Sequence, residues 1–302
     1  MTFTTQIKEE ITKEENNNIE DLTSLCTYLK FNATLEEDKM TVMVVNASVA
    51  RWIFKLLKTN YNVLIKLTTR TMKRFKARNL YILEVKEKLD LIYKDIDNIF
   101  KEINTSSDEE KKAFLKGMFL ACGSINDPKK NQYHLEFLVK EEEDAKLIDD
   151  LLNSLKIKSK VLKRDREYMV YVKSSENISD FIKYLGTFNA LFYFEDIRIY
   201  KDHKNMVNRL NNCEQANVER TLKSSKTILD NIKYLEDNDL TILLDDRSKE
   251  IIEYKKKYPD TSLGELADII TMETNKSITK SGINHHFRKI NALVKKAKEN
   301  HE

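Results

Sequence analysis

The stretch FLKGMFLACGS, residues 114–124, decides how this chain is read. It is mostly apolar, has glycine at 117 and 123, and contains no acidic residue. Gly117 and Ala121 stand four apart, so on a helix they share one face. Two helices approach closely only where residues of that size meet at the crossing. The stretch therefore reads as a buried helix that lies tightly against another helix.

Working outward, the chain repeats itself. A helical pattern near 22–31 leads to the strand-like MTVMVV (40–45), the helix SVARWIFKLLKTN, and two further strand candidates, NVLIKL (62–67) and NLYILEVK (79–86). Further on, KKAFLKGMFLAC (111–122) leads to YHLEFLV (133–139), the helix EDAKLIDDLLNSLK, then KSKVLKR (158–164) and EYMVYVK (167–173). Each half closes on a helix candidate, LIYKDIDNIFKEI and SDFIKYLG. Periods of 3.6 and 2 come in the same order twice, offset by roughly 90 residues. The expected class is α+β, a tandem α-β-β-α-β-β-α repeat whose leading helices pack on each other while both sheets face one side. After Tyr200 the chain turns polar and Asn-rich and becomes helical toward the end of that segment, as a linker helix would.

A third texture begins at Arg247. Pro259 closes a helix through SKEIIEYKKKY, and Ser262 with Glu265 forms a capping box that opens LGELADII. A polar turn at 273–276 follows. The last helix carries Ile283, Phe287, Ile290 and Val294 on one face. Three short helices with a polar turn before the last fit an all-α helix-turn-helix domain. From Arg247 onward there are 12 Lys/Arg against 8 Asp/Glu, a net of +4, and the run 276–298 has seven basic residues and no acidic one. The expected domains are thus 1–104 and 105–204 (two lobes), 205–246 (linker helix) and 247–302 (helix-turn-helix).

Composition narrows the function classes. Of 302 residues, 52 are Lys or Arg and 49 Asp or Glu, for a net charge of +3, so nucleic-acid binding must rest on where the charges sit. Cys26, Cys122 and Cys213 are odd in number and widely spaced, which fits neither a disulfide framework nor a CxxC metal site and suits a reducing cytoplasm. The opening MTFTTQIKEEITKEE is amphipathic and acidic, without a signal-type apolar core, and no run approaches the ~18 apolar residues of a membrane span. His285 and His286 are adjacent, so on a helix they point apart and cannot clamp one metal, and His134, His203 and His301 are isolated. There is no Gly-rich phosphate loop or nucleophile elbow, and no cofactor is expected.

LKGMFLACG (115–123) resembles the LAGLIDADG motif of homing endonucleases: Leu115, Gly117, Ala121 and Gly123 fall on its L, G, A and final G. LCTYLKFNA (25–33) falls on the same frame in the first repeat, keeping chiefly Leu25, with Thr27 and Phe31 in the small-residue places. The resemblance implies an aspartate as eighth letter of each helix, binding the divalent ions that activate water. Here the eighth letters are Asn32 and Cys122, neither a good ligand for a hard cation. Asp127, beside Pro128 a few residues on, is the available stand-in. A degenerate LAGLIDADG tandem followed by a helix-turn-helix is similar to the bacterial WhiA family over nearly the whole chain. The likeness includes TFTTQIKEEI, the stretch from FLKGMFLACGS to YHLEF, MVNRLNNCEQAN (206–217) and SITKSGINHHFRKI (277–290). It implies a DNA-binding regulator linked to sporulation or cell division, without nuclease activity.

On this reading the partner is double-stranded DNA, with a further transcription or division protein as a second candidate, and the location is the cytoplasm at the nucleoid. Opposite the apolar stripe of the last helix lie Lys280, Ser281, Asn284, His285 and Arg288, the candidate base-reading set, in which Asn suits adenine and Arg guanine. Arg70, Lys73, Arg74, Lys76 and Arg78 join two strands, and Lys163 and Arg164 are their repeat equivalents; all are candidates for the DNA backbone. A solvated hairpin tip, or a saddle converted to hold protein, remain alternatives for these hairpins. The function alternatives are a residual endonuclease and a protein-interaction module of the division machinery with secondary DNA binding. MVNRLNNCEQAN carries no derivable chemistry: its polar side chains either cap the linker helix or touch DNA.

Overall fold

The computed structural model describes residues 2–14, 16–72, 78–130 and 132–299, with the side chains of 72, 78 and 104 also outside the description. The chain divides into two compact units with the boundary between Asp202 and His203.

The first unit has the expected tandem order. Helix α1 (Phe3–Ile11) precedes the repeats. Then come α2 (Asn18–Asn32), β1 (Ala33–Leu35), β2 (Met40–Val44), α3 (Ala47–Tyr61), β3 (Ile65–Met72), β4 (Arg78–Val85) and α4 (Leu89–Glu102). The second copy is α5 (Asp108–Cys122), β5 (Gly123–Ile125), β6 (Leu135–Val139), α6 (Glu142–Ser154), β7 (Lys160–Arg164), β8 (Glu167–Val172) and α7 (Ser175–Leu185). Each copy makes one antiparallel sheet, in the orders β1-β2-β4-β3 and β5-β6-β8-β7. The strands β1 and β5 are too short to show a period in the sequence, but each lets its leading helix pass directly into the sheet.

The leading helices are central. Every residue from 23 to 29 in α2 and from 113 to 120 in α5 is buried, so neither helix is amphipathic in the usual sense. Ser107 and Glu110 cap α5 reciprocally, and Asp108, Glu109 and Glu110 suit its N-terminal dipole. Gly117 is the point of closest approach: a Cβ there would stand 2.2 Å from the Ser24 carbonyl oxygen and 2.9 Å from Thr27 Cβ. The hydroxyls of Ser24 and Thr27 donate back into their own helix, to Glu20 O (2.9 Å) and Thr23 O (2.7 Å), so the crossing presents satisfied polar groups to α5. Gly123 caps α5 in extended conformation, and a Cβ there would press on the Phe119 ring at 2.3 Å.

Helix α1 belongs to neither repeat and is held mainly by the second. Phe3, Ile7 and Ile11 are buried along one face. Thr4 bonds the backbone of β5 in both directions, at 2.8 and 2.9 Å to Ile125 O and N. The Glu10 carboxylate accepts from the backbone N–H of Asn189 (2.9 Å) and Ala190 (3.1 Å).

Helix α8 (Phe188–Asp237) runs on from α7, and the polar segment after Tyr200, expected to become helical only toward its end, is helical throughout. It contains no Gly or Pro, and both its ends have buried apolar anchors: Ala190 and Phe194 in the first core, Ile228, Ile232 and Leu235 in the second. In the second unit α9 (Asp246–Lys257), α10 (Leu263–Thr274) and α11 (Lys280–Glu299) close a core around Ile251, Leu266, Ile270, Ile283, Phe287 and Ile290.

Candidate nucleic-acid interface

The expected capping box of α10 is present: Glu265 N–H donates to Ser262 Oγ (3.2 Å), and Ser262 N–H donates to Glu265 Oε2 (2.8 Å). The helix stops at Asn275, in the left-handed region at φ 57° that Asn tolerates. Thr271, which sequence reading passed over, pins the turn: its Oγ1 accepts from Ile278 N–H (3.2 Å) and lies 3.4 Å from Ile278 O. Thr279 Oγ1 accepts from Gly282 N–H at 3.2 Å and starts α11. Ile283, Phe287, Ile290 and Val294 are all buried, which fixes the rotation of α11. Lys280, Ser281, His285 and Arg288 are consequently exposed, and Asn284 is half-buried beside them.

The two adjacent histidines part as their helical spacing requires. His286 turns inward, with Nδ1 2.8 Å from Ser248 Oγ on α9 and 3.9 Å from Asp245 Oδ1. Burial holds its pKa below the ordinary imidazole value against the pull of Asp245, and Lys289, His285 and Arg247 add to the depression.

A second buried group, also missed, braces the same unit. Lys255 is 0% exposed, and its ammonium donates to Ser225 Oγ (2.7 Å) on α8 and to Pro259 O (2.9 Å) and Thr261 O (2.7 Å) in the α9–α10 turn. In the sequence it sits inside YKKKY, where it looks like one more solvated lysine.

The sheets give a mixed picture. Lys73, Arg74 and Lys76 lie outside the described residues; Arg78 is placed in β4 opposite Met72, its side chain undescribed. Arg70 is exposed and opposite Leu80, while Lys66 is engaged by Glu84 at 3.1 Å. In β7 every residue is exposed, but strand alternation separates the two candidates there. Lys163 is opposite Tyr168, in line with Val139 on the helix-covered face, with its ammonium 5.6 Å from the Tyr168 ring. Arg164 is opposite Glu167 on the open face. Lys163 and Arg164 therefore do not form one patch. The open faces combine Lys66, Arg70, Lys160 and Arg164 with Glu84, Glu136 and Glu167, and with exposed Met43 (54%) and Leu162 (47%).

At the eighth letters of the two motif frames, Asn32 Oδ1 accepts from Tyr28 OH at 3.1 Å, and the Cys122 thiol donates to Met118 O at 3.3 Å. Burial pushes the thiol up to about 12, so it is protonated at neutral pH and a poor ligand. Lys8 from α1 enters the same end of α5: its Nζ donates to Leu120 O (2.9 Å) and stands 5.7 Å from the Phe119 ring. Burial lowers its pKa to about 8. Asp127, the stand-in, is spent on its own turn, with Oδ1 accepting from Lys129 N–H (2.9 Å) and Tyr193 OH (3.4 Å). Among the described residues no group of three His, Cys, Asp or Glu side chains is placed to hold a metal ion, and no helix is long and apolar enough to cross a membrane.

Three family models match the chain: a WhiA N-terminal LAGLIDADG-like domain over residues 19–99, a WhiA LAGLIDADG-like domain over 111–204, and a WhiA C-terminal HTH domain over 207–294. A "Probable cell division protein WhiA" of Oceanobacillus iheyensis is 35% identical over 99% of this chain and 98% of its own. Its namesake in Bacillus cytotoxicus is 37% identical over 98% and 97%. Among solved structures, full-length DUF199/WhiA from Thermatoga maritima superposes with a TM-score of 0.58 at 22% identity, covering 98% of this chain and 99% of that one. An N-terminal LAGLIDADG domain of DUF199/WhiA gives 0.52 at 20% identity, over 61% and 90%.

Proposed function

The chain belongs to the WhiA family, and from that membership we propose that it is a DNA-binding regulator acting at the nucleoid in cell division, chromosome segregation or sporulation. Base reading falls to α11. The observation that carries this is the rotation of that helix: with Ile283, Phe287, Ile290 and Val294 buried, Lys280, Ser281, Asn284, His285 and Arg288 form the side left to solvent, behind a turn braced by Thr271. In a helix-turn-helix that side enters the major groove. Asn284 and Arg288 carry the two side chains best suited to bidentate base contacts.

The test is a pair of titrations at one salt concentration, on a duplex selected by the protein from a random pool and on a scrambled duplex. Asn284→Ala or Arg288→Ala is expected to weaken binding to the selected duplex roughly 5- to 150-fold, a loss of about 1–3 kcal/mol, with little change on the scrambled one. Equal losses on both would reduce these residues to phosphate contacts, and no loss on either would remove α11 as the reader.

The first unit, on this proposal, contributes a surface and no chemistry. Exposed Met43 and Leu162 among the charges of the open faces support a protein partner there as the alternative to a DNA saddle. Alanine at Arg70, Lys73 and Arg74 separates the two: a flatter salt dependence of DNA binding supports the saddle, and an unchanged one supports the protein surface.

A further inference from the structure

In α8, every residue from 202 to 215 is exposed. A helix that packs on anything buries a residue every three or four positions, so among the described residues of its own unit this segment has no partner. Its composition is also a poor choice for a bare helix: Asn205, Asn208, Asn211, Asn212 and Asn217 each favour other backbone conformations. None of them stands at an end of the helix, so capping does not explain them. Lys204, Asn208, Asn211, Asn212 and Gln215 recur at spacings of three and four and make one stripe. From 202 to 223 four basic residues, Lys204, Arg209, Arg220 and Lys223, stand against three acidic ones, Asp202, Glu214 and Glu219.

We propose that this amide stripe is a second DNA-reading element, laid against duplex DNA with Asn208, Asn211 and Asn212 at base edges and Gln215, whose Nε2 donates to Glu219 Oε1 at 3.1 Å, at its margin. Side-chain amides offer a donor and an acceptor together, the pattern that adenine presents in the major groove, and the flanking Lys and Arg supply phosphate contacts. The inference rests on the DNA-binding reading above and adds a site to it. A protein partner is the competing occupant, since Met206 (61% exposed) and Leu210 (54%) lie on the other side of the helix. Their stripe is broken by His203, Cys213 and Asn217, which does not make a coiled-coil seam. The amides, with Lys204, Arg209, Arg220 and Lys223 along the same helix, favour DNA.

The full-length protein with Asn208→Ala, Asn211→Ala, Asn212→Ala and Gln215→Ala is titrated on the selected and scrambled duplexes. Alanine raises helix propensity at each position, so α8 should be retained, which circular dichroism checks. The expected result is a loss of tenfold or more on the selected duplex only; unchanged affinity, or an equal loss on both duplexes, overturns the proposal. A second measurement needs no substitution. Cys213 is exposed on α8 away from the amide stripe, whereas Cys26 is buried, Cys122 half-buried, and both thiols are held up near 12. An iron chelate attached at Cys213 should cut the bound selected duplex locally, and binding without cuts overturns the proposal. The α11 variants keep the two readings apart. If Asn284→Ala and Arg288→Ala lose affinity while the α8 variant does not, only this inference falls. If the protein selects no duplex at all, both fall.

Discussion

Gly117 sets the distance between the two central helices, and nothing larger fits. A methyl group there would stand 2.2 Å from the Ser24 carbonyl oxygen, a backbone atom that cannot swing aside. Gly117→Ala should therefore destabilise the first unit by about 3 kcal/mol or more despite alanine's better helix propensity, since overpacking commonly costs 1–3 kcal/mol and here meets backbone. Chemical denaturation of the full chain, followed through Trp52 in the first unit, measures it; a stability gain would mean that α2 and α5 can separate at no cost. Lys255 is the corresponding residue in the second unit. Lys255→Met keeps the volume but leaves Pro259 O and Thr261 O without their donor, and should cost at least about 2 kcal/mol in the transition of that unit. The glycine was legible from its spacing to Ala121 in an apolar run. The lysine was not, because nothing local distinguishes a lysine that meets three oxygens from its neighbours in YKKKY.

Among the elements, α11 shows how far a sequence pattern reaches. Its apolar spacing gave its rotation, and the rotation gave which side chains are free. The same pattern could not say that His286 would rest on α9, since that depends on where Ser248 lies in space. This contact predicts a pH dependence. The folded state holds the imidazole pKa below its unfolded value near 6.5, so the unfolded chain takes up a proton first as pH falls. Stability of the second unit should be full above that value, decline as pH drops through it, and level off once the folded protein protonates too. His286→Gln should remove that slope in thermal melts between pH 5 and 7.5; a slope that survives assigns the effect to other groups. The strands divide in the same way. β2, β4, β6 and β8 carry enough alternation to be read, whereas the three-residue β1 and β5 exist only because a helix end meets a sheet edge. Lys163 and Arg164, both candidates for the DNA backbone, are neighbours in sequence, and the register turns them to opposite faces.

For the whole molecule, the order of elements and the two kinds of core were visible in the sequence. The continuous helix from Phe188 to Asp237 was not, because its polar middle is held by anchors near its ends and its own residues argue for a linker. The absence of nuclease chemistry is a prediction at this scale. The protein should not cleave duplex DNA with Mg²⁺ or Mn²⁺, and Asn32→Asp with Cys122→Asp should not restore cleavage, because Lys8 brings its own cation to that end of α5. Metal-dependent cuts abolished by a chelator would overturn this. The placement of α1 also carries a consequence for synthesis. Thr4 leaves the ribosome 121 residues before its partner Ile125, and Glu10 leaves 179 and 180 residues before its partners Asn189 and Ala190. At bacterial elongation rates the interval to the last of these is roughly 10–40 s. Until α5 is made, α3 is the one completed element of the surfaces that α1 packs on, so the nascent chain carries an apolar helix with its cover unfinished, and α1 settles fully only once the second lobe is made.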